Sequence, residues 1–255
     1  MEFFDTHSHY NDEKFDQDRE NIIKSTFDAG ITKFMCIGYD LESSKKAIEI
    51  AEKHNNIFAT CGISPNDIEK IDLNILDEIQ KNAKNPKVKA IGEIGLDYYW
   101  EKDENIREKQ KIFFKKQIEI ANKLDLPIVI HTRDAYLDTI QILKDNKCEN
   151  TGIFHCCPLN NELIKDALNL GYYISFSGSI TFKNSKPEAA ILQVPLDRLL
   201  IETDSPYLSP EPYRGIRNNS SRVIEVARKI ASVRKLSLEE IAKITYENAL
   251  KIYKF

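Results

Sequence analysis

One pattern repeats along the chain: a short apolar run, a polar residue directly after it, then a stretch in which apolar residues recur every three or four positions. The runs lie at 2–4, 33–37, 57–61, 88–91, 128–130, 152–154, 172–175 and 199–201. The helical stretches lie near 17–28, 41–54, 72–84, 104–124, 135–146, 160–169, 185–192 and 219–232. Gly30 and Gly171 fall just past two of these helices, where a left-handed residue ends a helix, and Pro127 opens the fifth run. Short apolar runs alternating with amphipathic helices predict parallel strands joined by crossovers, because such strands are buried on both faces. Eight units of about 32 residues suit a closed (β/α)8 barrel of ~250 residues; an open doubly wound sheet is the alternative. A further helix is expected over 237–246, opened by the capping pattern Ser237-Leu-Glu-Glu, on the outside or base of the barrel. No Pro-, Gly- or Ser-rich linker divides the chain, so residues 1–255 are expected to form a single domain.

Composition narrows the function classes. Apolar residues make up 42% and charged residues 30%, which fits a globular core under a charged surface and not disorder. Lys and Arg number 36 against 40 Asp and Glu, a formal charge of −4. A broad basic surface of the kind that dominates non-specific nucleic-acid binding is therefore excluded, and any such partner must be held locally. The five cysteines, Cys36, Cys61, Cys148, Cys156 and Cys157, form no CxxC pair, which points to a reduced protein. The start Met1-Glu-Phe-Phe-Asp-Thr-His lacks a basic region followed by an apolar stretch, and no uncharged run reaches 18 residues. A cytoplasmic protein with no membrane partner is expected.

In a (β/α)8 barrel the residues just after each strand gather at one end, where barrel enzymes build their sites. Those positions hold His7 and His9, Glu93, His131, His155 and Asp204, so four of the five histidines stand at strand ends. Only His54, at a helix end beside Asn55, reads as a surface residue. Any one of the four has an ordinary structural explanation, but their convergence does not. In extended backbone, residues i and i+2 point the same way, so both imidazoles of His7-Ser8-His9 can reach one metal ion. Four imidazoles and two carboxylates can serve two divalent ions with Glu93 between them. A pair of such ions activates water and stabilises the attacking and leaving oxygens of phosphodiester hydrolysis.

His7-Ser8-His9, Gly92-Glu-Ile-Gly-Leu-Asp-Tyr-Tyr99, His131-Thr-Arg-Asp134, His155-Cys156, Glu202-Thr-Asp-Ser-Pro-Tyr-Leu208 and Arg214-Gly-Ile-Arg-Asn218 together resemble the TatD family of metal-dependent deoxyribonucleases. The resemblance covers essentially the whole chain, in order. It implies a TIM barrel of the metallo-dependent hydrolase superfamily and exonucleolytic hydrolysis of DNA. It also implies that His7, His9, Glu93 and Asp204 hold one metal, and Glu93, His131 and His155 the other. Magnesium, manganese and zinc all suit such mixed ligands.

Asp204 and Glu93 are the expected catalytic residues. A strand-end carboxylate beside the metals can both ligate and accept a proton from the nucleophilic water, and neighbouring cations keep Glu93 ionised. Glu202, two residues before Asp204, either supports a histidine or caps a core layer. Arg133 is expected at the same mouth, binding a phosphate or else pairing with Asp97 or Asp134. Tyr98, with Tyr99 and Trp100, either stacks on bases or packs the loop. Lys183 and Arg214 supply positive charge from later loops. The expected substrate is DNA, single-stranded or at a 3′ end, and the expected state a monomer. A small-molecule amidohydrolase or lactonase is the alternative. The chain departs from the family pattern at Ser64, where a histidine is usual, at Cys156-Cys-Pro-Leu159 and at Arg217-Asn-Asn-Ser220; none of these removes an expected ligand.

Overall fold

Eight strands, β1 Phe3–Ser8, β2 Ile31–Cys36, β3 Ile57–Cys61, β4 Val88–Asp97, β5 Ile128–Arg133, β6 Gly152–Phe154, β7 Tyr173–Phe176 and β8 Leu199–Ile201, pair in chain order, each parallel to the next. They are seen in a computed structural model that describes residues 1–255 apart from the side chain of Asp67. Just beyond β8 the chain returns to β1: Asp204 N donates to His7 O at 2.9 Å and His9 N to Ser205 O at 2.7 Å. The sheet therefore closes at its catalytic-looking end, as a (β/α)8 barrel and not an open sheet.

The helices follow the expected order: α1 Arg19–Asp28, α2 Leu41–Lys53, α3 Ile75–Asn82, α4 Glu104–Leu124, α5 Tyr136–Asp145, α6 Asn161–Asn169, α7 Glu188–Gln193, α8 Val223–Arg234 and α9 Leu238–Ile252. Their ends have local causes. Asp40 and Ser43 form a reciprocal capping box at α2, and Ser237 and Glu240 form one at α9. Gly30 at φ 91° and Gly171 at φ 87° follow α1 and α6. None of these helices is long and apolar enough to cross a membrane.

Three strands run further than their apolar runs. β1 extends to Ser8, β4 to Asp97 and β5 to Arg133, so His7, Glu93 and His131 lie inside strands and not after them. Parallel pairing continues past the first polar residue because the backbone bonds the same way whatever the side chain. β8 stops at Ile201, where its apolar run ends, and Glu202 follows the strand.

The barrel interior explains which side chains reach the mouth. Phe4, Met35, Ala90, Val129, Ile153, Tyr173 and Leu200 form one buried cluster with Ala249, Ile252 and Tyr253 of α9 and the turn after it. The end of α9 thus closes the base of the barrel. Phe4 and Ala90 fill the interior, so strict alternation would turn His7 and Glu93 outward. Both strands break the alternation. Between Asp5 and Ser8, β1 spends three residues where β2 spends two, and between Ile91 and Ile94, β4 spends three where β5 spends two. Each extra residue is a bulge that re-aims the side chains beyond it. Gly95, at φ 139°, lets β4 continue beside β5, since a Cβ there would lie 2.0 Å from His131 O.

Candidate metal centre

At the mouth, the six expected ligands converge. His7 Nε2 lies 3.2 Å from His9 Nε2, and His131 Nδ1 lies 3.3 Å from His155 Nε2. Glu93 stands between the pairs: its Oε2 is 3.3 Å from His7 Nε2, and its Oε1 is 3.0 Å from His131 Nδ1 and 3.3 Å from His155 Nε2. Asp204 Oδ1 is 3.2 Å from His9 Nε2 and 3.6 Å from His7 Nε2. The His7 and His155 rings stack with centroids 3.9 Å apart, joining the two halves. Three overlapping ligand groups result: His7, His9 and Glu93; Glu93, His131 and His155; and His7, His155 and Asp204.

These spacings fit shared cations. Donors each ~2.0–2.2 Å from one ion at tetrahedral to octahedral angles lie roughly 2.9–3.5 Å apart, which is the spacing within both histidine pairs. Charge points the same way. Glu93 and Glu202 are buried at the site, as is Asp97, while Asp204 is largely covered. Among the described residues, these four acids form ion pairs only with histidines, never with Lys or Arg. Buried negative charge of that density needs cations close by.

The titration behaviour agrees. Burial opposes the charged form of Glu93, but His155, His131 and His7 hold its carboxyl well below the usual range; Asp204 is held down against burial by His9 and His7. His7 is lowered, by burial and by His155. Burial likewise opposes charge on His131 and His155, but Asp97 and Glu93 raise the first, and Glu93 and Glu202 raise the second. Carboxylates that draw a proton onto an imidazole draw a metal cation onto the same lone pair.

Behind the candidate ligands stand further polar groups. Asp97 Oδ2 lies 2.9 Å from His131 Nε2, and Ile37 O lies 3.2 Å from His9 Nδ1. Glu202 Oε1 accepts from Cys156 N at 2.6 Å and lies 3.4 Å from His155 Nδ1, so of its two expected roles the structure shows it beside a histidine. Asp204 is left-handed at φ 57°, a conformation Asp tolerates, and is pinned by the bond from its N to His7 O. Asp97 was visible in the sequence only as a partner for Arg133. Its signal was its position four residues after Glu93 on the same strand face.

The mouth opens into a cavity of about 570 Å3 lined by His9, Glu93, His131, Arg133, His155 and Asp204, with Asp134, Cys156, Tyr207 and Leu208 also on its walls. That volume suits a small ligand or one strand end, not a duplex. Arg133 is exposed and pairs with neither Asp97 nor Asp134; its guanidinium lies 3.7 Å from the centre of the Tyr99 ring. The other expected substrate contacts stand elsewhere. Tyr98 is turned away, its hydroxyl donating to Asp138 at 2.7 Å with Arg107 over its ring, so packing holds it and not the mouth. Arg214 lies outside the cavity lining, donating to Ser209 O at 2.8 Å and stacking on Phe182; Lys183 is exposed and also outside that lining. Arg217 is occupied by Asp18.

Comparison with known proteins places this geometry among relatives. A family model described as TatD related DNase matches residues 4–254. The chain is 40% identical over 253 residues to the uncharacterized metal-dependent hydrolase YabD of Bacillus subtilis, covering 98% of each chain. It is 32% identical over 258 residues to the uncharacterized metal-dependent hydrolase YcfH of Escherichia coli K12, covering 99% of this chain and 96% of the other. Among solved structures, the TatD homolog YjjV of Escherichia coli K12 superposes with a TM-score of 0.93 at 28% identity, covering 99% of this chain and 98% of that one.

Proposed function

Since the chain belongs to the TatD family of metal-dependent hydrolases, we propose that it is a 3′–5′ exodeoxyribonuclease that hydrolyses DNA phosphodiester bonds with two divalent ions, magnesium, manganese or zinc. The observation that carries the reading is Glu93, whose two oxygens each face one histidine pair in a pocket whose buried acids have no Lys or Arg partner among the described residues. His7, His9, Glu93 and Asp204 would hold one ion, and Glu93, His131 and His155 the other. Bound there, the ions supply Lewis acidity, making a water nucleophilic and stabilising charge on the attacking and leaving oxygens.

The chain's own residues do the rest. Asp204, ionised and 3.2 Å from His9, stands at the cavity wall where it accepts the proton of the attacking water. Asp97 fixes the ring of His131, and Glu202, 3.4 Å from His155 Nδ1, favours the tautomer that aims the other nitrogen inward. Arg133 is the cation of the cavity wall, placed to bind a phosphate bidentately. A net charge of −4 is compatible with this substrate because two divalent ions, with Arg133, would concentrate positive charge at the mouth.

An end-labelled single-stranded oligonucleotide tests the reading. Metal-depleted protein should be inert, and restored divalent ion should give stepwise shortening from the 3′ end. Asp204→Asn should lose about 10²–10⁴-fold, the usual share of a general base. Hydrolysis of lactones or amides with DNA left intact would reverse the assignment. Likeness to an uncharacterized amidohydrolase of Saccharomyces cerevisiae, 18% identical at TM-score 0.84, shows the barrel alone.

A further inference from the structure

The loop after β4 carries two aromatic rings beside Arg133 of the cavity wall. Arg133 lies face-on to Tyr99 at 3.7 Å and 5.5 Å from the centre of the Trp100 ring, and Tyr99 meets Trp100 edge-to-face at 4.8 Å. Tyr99 is 43% and Trp100 67% exposed, the latter far above what packing needs in so large a ring. Trp100 also lines a second cleft of about 370 Å3 with Pro65, Glu69, Ile106 and Gln110. Arg133 lines the first cavity and Trp100 the second, so this ladder of side chains stands between the two.

The backbone of the ladder is pinned to the site. Asp97 Oδ1 accepts from both Tyr99 N and Trp100 N at 2.9 Å, while its other oxygen holds His131. Buried Gln110 donates from Nε2 to Pro65 O at 3.1 Å and to Asp97 O at 3.2 Å, tying the floor of the second cleft to the same residue. Arg133 has no carboxylate partner among the described residues, so its charge is available to a ligand. Glu69 and Glu101 line the Trp100 cleft, which makes it a poor seat for phosphate.

We propose that Arg133, Tyr99 and Trp100 form a nucleotide subsite next to the catalytic cavity, in which Arg133 binds a backbone phosphate of single-stranded DNA and Trp100 stacks on the adjoining base. The inference rests on the reading that the cavity takes a DNA strand end, and it adds the determinant that favours a polynucleotide over a small diester. A flat indole with a neighbouring guanidinium is the arrangement by which proteins hold single strands without reading their sequence. The base contact thus moves from Tyr98 to Trp100.

Trp100 is the only tryptophan, so intrinsic indole fluorescence reports this residue alone. The metal-loaded protein is titrated with a phosphorothioate hexathymidylate, which resists hydrolysis, and separately with thymidine monophosphate. Saturable quenching by the hexamer and little by the monophosphate is expected, because one nucleotide fills only the catalytic cavity. In parallel, Trp100→Ala should lower the ratio of kcat/KM on an oligonucleotide to kcat/KM on bis(p-nitrophenyl) phosphate by about five- to a hundredfold, and Trp100→Phe should restore most of it. DNA hydrolysis with no quenching and an unchanged ratio would overturn the subsite and leave the proposed function standing. Quenching by the hexamer, with no hydrolysis of an unmodified oligonucleotide under any divalent ion, would support the subsite and overturn the nuclease.

Discussion

Asp97 Oδ2 lies 2.9 Å from His131 Nε2, on the side of the ring opposite the nitrogen that faces Glu93. The carboxylate therefore fixes both the tautomer and the plane of the imidazole. Asp97→Asn keeps the shape and removes the charge. It should weaken metal binding or kcat/KM by about 10–100-fold, measured by competition with a chromogenic chelator and by steady-state kinetics. Unchanged values in both would remove Asp97 from the site's support.

Glu93 and Asp204 are expected to differ in what they hold. Glu93 forms ion pairs with both histidine pairs, whereas Asp204 forms them only with His9 and His7. Glu93→Gln should strip the site of most of its metal. Asp204→Asn should keep the ion held by Glu93, His131 and His155 and lose activity nonetheless. Metal content of the dialysed variants, by elemental analysis, decides this; a Glu93→Gln protein that retains two ions per chain would sink the bridging role.

Removing the metal should cost stability, because the buried acids of the site have no Lys or Arg to balance them. Ligand linkage gives ~4 kcal/mol for an ion present at a thousand times its Kd. For a chain of this size that is about 8–16 °C in Tm. Dialysis against a chelator should lower Tm by an amount of that order, with recovery on adding the divalent ion back. A Tm indifferent to chelation would mean that the cluster is held together without cations.

The convergence of these side chains was legible because histidine is scarce and four of five stand where strands deliver side chains to one mouth. The barrel was legible for a related reason: eight runs that are apolar on both faces leave little else to build. The bulges in β1 and β4 were not legible. His7 and Glu93 follow Phe4 and Ala90 at spacings that, read with strict alternation, send them outward, and only the pairing register shows the extra residue. Asp97 had a signal in its spacing from Glu93, but its partner and the fate of Tyr98 were hidden. Whether a side chain after a strand enters the mouth or turns to a helix depends on its partner, here His131 for Asp97 and Asp138 for Tyr98. Those partners lie 34 and 40 residues away.

At the opposite end of the barrel, stability and activity should separate. Tyr253 is 1% exposed; its ring stacks on Phe4 at 5.9 Å, and its hydroxyl donates to Thr6 O at 3.1 Å. It plugs the base from which β1 rises toward His7. Tyr253→Phe gives up one buried hydrogen bond and should cost ~1 kcal/mol, whereas Tyr253→Ala also opens a cavity and should cost ~3–5 kcal/mol, or roughly 6–20 °C in Tm. Because the lesion lies at the base and the chemistry at the mouth, kcat/KM measured well below Tm should fall less than threefold in the Phe variant. Thermal unfolding and kinetics on the same preparations check both halves. A Phe variant that folds with near-normal Tm yet loses activity tenfold would show that the base plug sets the position of His7 and is not only a stabilising element.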